Sequence, residues 1–214
     1  LQGLPFETVL IGQDRVKGHG VGGDNELGAE VMQSNSHEVL SALDGCIATG
    51  TESIFVVAGL GGGTGSGGAP VLAKELKRVY DLPVYGLGVL PGRNEGSMYQ
   101  VNAGRSLKTF AREADSVLLA DNDAFRSAGE SLTEGFDAIN EEIATRVGLL
   151  LASGEVVEGV AESVVDSSEI INTLRSGGIA ALGYASAEAA PDPEENINTV
   201  MSTARRAVLT GSSL

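Results

Sequence analysis

The sequence predicts an α/β fold: a doubly wound, mainly parallel sheet, followed by a long central helix and the beginning of a second domain. Three observations carry this. Short β-rich apolar runs alternate with amphipathic helical stretches, which in a compact domain implies parallel strands joined by crossover helices. The first clear run, residues 53–58 (SIFVVA), is short, apolar after Ser53 and rich in β-formers, as in a strand buried on both faces. A glycine-rich loop, residues 59–68 (GLGGGTGSGG), separates it from the next helix.

Taken in order, the chain opens on Leu1 rather than Met, and residues 2–7 follow neither period, so it reads as starting inside a larger design. After the loop, residues 69–80 place Val71, Leu72, Leu76 and Val79 on one helical face, with Pro70 allowed in the first turn. A strand over 84–90, a helix over 97–113 and a strand over 116–120 complete two crossover units. Residues 136–152 carry Ile139, Ile143, Val147 and Leu150 at spacings of three and four, predicting a long amphipathic helix that Gly154 ends. A further helix begins at Ser167 and is interrupted by Gly177 and Gly178. Residues 187–195 (AEAAPDPEE) read as an exposed acidic loop, and 196–209 as a last helix. The expected division is residues 1–153 for the first domain and 154–214 for the incomplete start of the second.

The chain has 214 residues, 42% hydrophobic and 20% charged, enough for one sizeable core. No apolar run reaches the roughly 18 residues that cross a bilayer, and no signal peptide opens it, so a cytoplasmic location without membrane insertion is expected. The single Cys46, with only His19 and His37 beside it, excludes a structural zinc site. A net charge of −15 makes nucleic acid and anionic lipid poor partners. Only four lysines are present, Lys17, Lys74, Lys77 and Lys108, a balance that suits a halophile's surface or an ordinary acidic protein.

Glycines between a strand end and a helix start let backbone amides wrap a phosphate while the helix N-terminus faces the anion; the plainer reading is a tight turn. The P-loop is excluded because the chain has no Gly-Lys pair. Gly63, Gly65 and Gly68 match the dinucleotide fingerprint formally, but residues 86–90 lack its acidic partner.

The stretch Gly61-Gly62-Gly63-Thr64-Gly65-Ser66-Gly67 after a buried strand resembles, residue for residue, the tubulin/FtsZ signature. Residues 9–30, 83–92, 121–125 (DNDAF) and 164–174 (VVDSSEIINTL) look closest to the archaeal CetZ branch, and the likeness runs from about 9 to 184. The resemblance implies the Rossmann-like GTPase domain of that superfamily, binding GTP or GDP with Mg2+. No protein metal ligands are assigned. Residues 18–25 (GHGVGGDN), with Gly20, Gly22 and Gly23, match the loop over the terminal phosphate, though the glycines also suit a flexible loop. Glu95 matches the ribose-contacting carboxylate; it equally suits the start of the following helix. Asn122 matches a guanine-reading amide and is also a plain turn residue. Phe136 and Asn140, four apart on one helical face, match the aromatic that stacks on the base and the second amide.

Asp166 and Glu169 match the two acids that, in the family, enter the next subunit's pocket and orient the attacking water, so that hydrolysis depends on head-to-tail assembly. Asp-x-x-Glu is also a capping box, and the two roles are compatible. Val164 stands where FtsZ has an asparagine, as in CetZ proteins. The implied protein is a GTP-hydrolysing cytoskeletal filament former acting in cell shape or division. The family's opening strand and first phosphate turn fall before Leu1, and only the opening of its second domain is present. Three readings remain: an assembling GTPase, a nucleotide-binding module that no longer assembles, and a nicotinamide-dependent enzyme.

Overall fold

The computed structural model describes residues 7–124, 132–152, 167–187 and 193–212. Four parallel strands, β1 (Ile54–Gly59), β2 (Val84–Leu90), β3 (Ser116–Asp121) and β4 (Ile179–Ala181), stand in the order β1-β2-β3-β4. In register, Val57 pairs with Leu87, Leu87 with Leu118, and Leu118 with Ala180. The helices are α1 (Gln13–Val16), α2 (Asn25–Ser34), α3 (Ser36–Asp44), α4 (Gly63–Val79), α5 (Ser97–Glu113), α6 (Leu132–Ala152), α7 (Ser167–Leu174) and α8 (Pro193–Ser212). No helix among the described residues is long and apolar enough to cross a membrane.

Side chains alternate between the two faces of the sheet, and each face is covered by its own helices. On one, Val56, Val84 and Val117 meet Ala73 and Leu76 of α4 and Ala103 and Phe110 of α5. On the other, Tyr85, Leu87 and Leu118 meet Ile143, Val147 and Leu150 of α6 and Ile170, Ile171 and Leu174 of α7. Gly86 is glycine for a packing reason: a Cβ there would lie 2.6 Å from the ring of Phe110. Burial of this many apolar side chains, each contributing about 1.5–3 kcal/mol, drives the helix–sheet–helix arrangement.

Four differences from the sequence reading have physical causes. Helix α4 begins at Gly63, six residues before the expected start, although glycine disfavours helix by about 1 kcal/mol per residue. Tertiary packing overrides that propensity, because α2 lies so close that a Cβ on Gly67 would sit 2.0 Å from the Asn25 carbonyl oxygen. Helices α2 and α3 add to the elements expected from the sequence; Asp24 starts α2, its carboxylate accepting from the N–H groups of Glu26 and Leu27, both at 3.0 Å. Gly177 and Gly178, both at positive φ, end a turn that sends the chain into β4, a strand too short to show a period. Finally, α7 and β4, expected to open a second unit, pack beneath and extend the first sheet. Gly154, the expected end of α6, lies outside the described residues.

Candidate nucleotide site

The C-terminal ends of β1, β2 and β3 all open on the same side of the sheet, where ligands of open α/β sheets bind. A cavity of about 310 Å³ lies there, lined by Gly92, Asn94, Glu95, Tyr99, Asn122, Asp123, Gly135, Phe136 and Ile139. The fold therefore brings together three residues named from the sequence, Glu95, Asn122 and Phe136. Phe136 is 41% exposed at the N-terminal part of α6, so its ring presents a free apolar surface. Asn140, one turn further on, is exposed and does not line the cavity; Ile139 does.

Hydrogen bonds fix the polar groups. Glu95 Oε1 accepts from the Gly92 N–H at 2.7 Å and from Asn122 Nδ2 at 3.2 Å. The acidic partner dictates which end of the Asn122 amide is NH2, and the carbonyl oxygen is left for another donor. Asp123 Oδ2 accepts from the Arg93 N–H at 2.8 Å, tying the end of β3 to the short 3₁₀ turn Arg93–Glu95. The Gln100 side-chain amide donates to the carbonyls of Pro91 at 3.2 Å and Gly92 at 2.8 Å.

The two glycine loops adjoin this cavity. A Cβ on Gly61 would meet Pro91 at 3.1 Å and Tyr99 at 3.2 Å, and one on Gly23 would meet Met98 at 2.6 Å. Within the signature, residues alternate between outward and inward positions. Gly62 and Thr64 are exposed, Gly65 is half-buried, and Gly61, Gly63, Ser66 and Gly67 are buried. No side chain caps α4 and its first turn carries no acid, so its leading N–H groups remain available to an anion. Ser66 corrects its sequence assignment as far as the side chain goes: its hydroxyl is buried and donates to the Gly62 carbonyl, inside the helix rather than toward the loop. A side chain at Gly63 would collide with Val21 and the Asp24 backbone, and one at Gly65 or Gly67 with the backbone of Gly59 or Asn25. Gly20 and Gly22 are exposed at positive φ, and a Cβ on either would meet nothing within 4 Å.

Of the two acids named as catalytic, Asp166 lies outside the described residues. Glu169 stands in the first turn of α7, far from the cavity. Ser167, two residues before it, adjoins Glu52 and Ser53, which precede β1, and Leu150 near the C-terminal end of α6. Phe136 marks the other end of α6, and at 1.5 Å per residue the 14 residues to Leu150 span about 21 Å. Glu169 and the cavity of one chain thus occupy opposite ends of the sheet.

Sequence reasoning missed Tyr99, Asp123 and Asn102, of which Asn102 is the most deeply placed. A polar residue on the buried face of α5 is the signal that could have found it.

Comparison with known proteins extends these observations. Residues 4–129 match the Tubulin/FtsZ family, GTPase domain, and residues 129–214 match the Tubulin-like CetZ, C-terminal domain. The chain is 78% identical over its whole length to the tubulin-like protein CetZ2 of Haloferax volcanii, covering 59% of that protein. The solved GTPγS-bound protofilament of CetZ2 from Haloferax volcanii superposes with a TM-score of 0.90 at 76% identity, over 99% of this chain and 61% of the other. The GDP-bound monomer of CetZ1 from the same organism gives 0.83 at 54% identity, over 93% and 56%. The chain spans about six tenths of the length of these relatives.

Proposed function

This chain belongs to the tubulin/FtsZ family of GTPase domains, and from that premise we propose that it binds and hydrolyses GTP in the cytoplasm as part of a head-to-tail filament. A role in cell shape or division follows from the same reading. The separation of the two halves of the machinery carries the proposal: the nucleotide cavity opens at the C-terminal ends of the strands beside Phe136, and Glu169 lies on α7, whose first residue adjoins Leu150, about 21 Å along α6 from Phe136. A glutamate side chain cannot bridge that distance within one chain. Stacking a second copy end to end brings its Glu169, with Asp166, to the first copy's cavity.

Each residue then has a physical task. Phe136 offers its ring to the base, and the free carbonyl oxygen of Asn122 accepts from the donor edge of guanine. Asn140, on the same helical face as Phe136, serves as the second amide from the rim. Glu95, already holding the Gly92 turn, supplies an acceptor for ribose hydroxyls. Exposed Gly62 and Thr64, with Gly61, Gly63 and Gly65 behind them, present the first-turn amides of α4 to phosphate oxygens, and Gly20, Gly22 and Gly23 close over the terminal one. Ser66 and Gly67 act from the interior by shaping that turn.

Among the described residues no group of three or more His, Cys, Asp or Glu is gathered for a metal. A Mg2+ bound together with the nucleotide would supply charge neutralisation at the phosphates. Asp166 and Glu169 position the attacking water in trans, since phosphoryl transfer to water depends mainly on positioning and electrostatics. The nicotinamide-dependent alternative is the weaker reading, because residues 86–90, where the dinucleotide fingerprint places its acid at the strand end, are all apolar or glycine.

Phosphate release with GTP and Mg2+, measured across a dilution series, tests the shared site. Turnover per molecule should fall on dilution, and turnover that stays constant would sink the idea of a site completed by a second copy. Asp166→Ala with Glu169→Ala should abolish hydrolysis with nucleotide affinity nearly intact. Binding without any turnover in the unsubstituted protein would leave only a nucleotide-binding module.

A further inference from the structure

We infer that Asn102 is a positioning residue of the nucleotide site: it holds the Gly61–Gly62 peptide so that the Gly62 N–H faces the phosphates, and it ties the loop ending at Gly23 to that peptide. The inference rests on the function proposed above. Asn102 lies on the buried face of α5, 5% exposed, and does not line the cavity. Its side-chain Nδ2 donates to the Gly61 carbonyl at 3.0 Å and to the Gly23 carbonyl at 2.8 Å. Both acceptors are carbonyl oxygens, so the NH2 end must face them, and both its hydrogens are used.

The consequence for Gly62 follows from peptide geometry. In a trans peptide the C=O and the N–H of the next residue point in opposite directions. Drawing the Gly61 carbonyl inward onto Asn102 therefore turns the Gly62 N–H outward. Gly62 is exposed at the N-terminal cap of α4, with φ −74° and ψ 176°, and a Cβ there would meet nothing within 4 Å. Among the described residues no protein acceptor takes its N–H. Without Asn102, a glycine-flanked peptide has little to prevent it from rotating and presenting its carbonyl to the anion instead.

The second hydrogen bond gives Asn102 a coupling role. The peptide after Gly23 is held in a turn, the Asp24 N–H donating to the Val21 carbonyl at 3.1 Å. One side chain thus sets the spacing between the loop over the terminal phosphate and the loop beneath the phosphate chain.

The test compares GTPγS, GDP and guanosine binding by the protein, unsubstituted and as Asn102→Ala, using calorimetry. Loss of an aimed amide at a charged group should weaken GTPγS and GDP roughly tenfold and leave guanosine within about twofold. A merely structural role would weaken all three alike, and that result overturns the inference. Gly62→Pro provides the second variant, with Gly62→Ala as its steric control: the φ suits both residues and both place a Cβ in the same space, but only proline deletes the N–H, so the loss that counts is that of proline beyond alanine. Gly62→Pro should reproduce the phosphate-selective loss without disturbing Asn102, including where Asn102→Ala fails to fold, and GTPγS binding by Gly62→Pro no weaker than by Gly62→Ala overturns the inference. Failure of the unsubstituted protein to bind any guanine nucleotide instead removes the functional reading on which this inference stands.

Discussion

Two segments of this chain are equally rich in glycine, and they need it for opposite reasons. In residues 18–23, Gly18, Gly20, Gly22 and Gly23 all have positive φ, and around Gly20 and Gly22 there is open space. There the backbone conformation demands glycine. In residues 61–68 no glycine has positive φ, yet Gly63, Gly65 and Gly67 have neighbouring atoms 2.4, 2.4 and 2.0 Å from where a Cβ would stand. There the demand is for a close approach of backbone to backbone. A shared composition therefore conceals a loop whose left-handed backbone requires glycine and a loop pressed against neighbouring backbone.

Substitutions with alanine break or sharpen this contrast. Gly67→Ala carries the largest expected effect, since α2 must retreat from α4 before the methyl group fits. A loss of about 3 kcal/mol or more in denaturant unfolding is expected, and a loss below about 1 kcal/mol would show that the two helices tolerate separation. Gly22→Ala should cost only about 1 kcal/mol, the penalty of a left-handed alanine in open space. Gly62→Ala is smaller still, because its φ of −74° suits alanine and its surroundings are empty. Its unfolding free energy should stay within about 0.5 kcal/mol of the parent, while GTPγS binding weakens as the methyl group enters the space proposed for phosphate.

The smallest expected effect lies outside both loops and calibrates them. Tyr80 donates its phenolic hydrogen to Asp44 Oδ1 at 2.5 Å, and that bond, helped by partial burial and the adjacent charge, pushes its pKa up to about 12. A phenol whose folded pKa exceeds the ordinary 10 stabilises the fold fully below pH 10, and the contribution is lost as pH rises through about 12. The melting temperature should therefore fall between pH 10 and about 12, and Tyr80→Phe should remove that part of the slope. An unchanged slope in the variant would assign the alkaline loss to other groups.

Much of the fold was legible in local pattern. The helices over 97–113 and 136–152 and the strands over 84–90 and 116–120 have clear periods or continuous apolar runs, and each forms within a few residues of where the pattern placed it. Glu95, Asn122 and Phe136 were legible as a group only through the family resemblance, because they lie on three separate elements. Nothing in their spacing brings them to one cavity. The position of Glu169 at the far end of the sheet was equally invisible, since it depends on α6 running back beneath the strands.

By itself the sequence determined the parallel α/β order, the two glycine loops and the family, because these rest on local periodicity and a contiguous seven-residue signature. Only the tertiary structure decided which glycines stand in open space and which press against other backbone, how α4 starts six residues early, and which two carbonyls Asn102 holds. Those outcomes depend on which backbone lies across from each residue, and that neighbour is distant in the chain: 38 residues separate Gly23 from Gly61, yet one buried amide holds both.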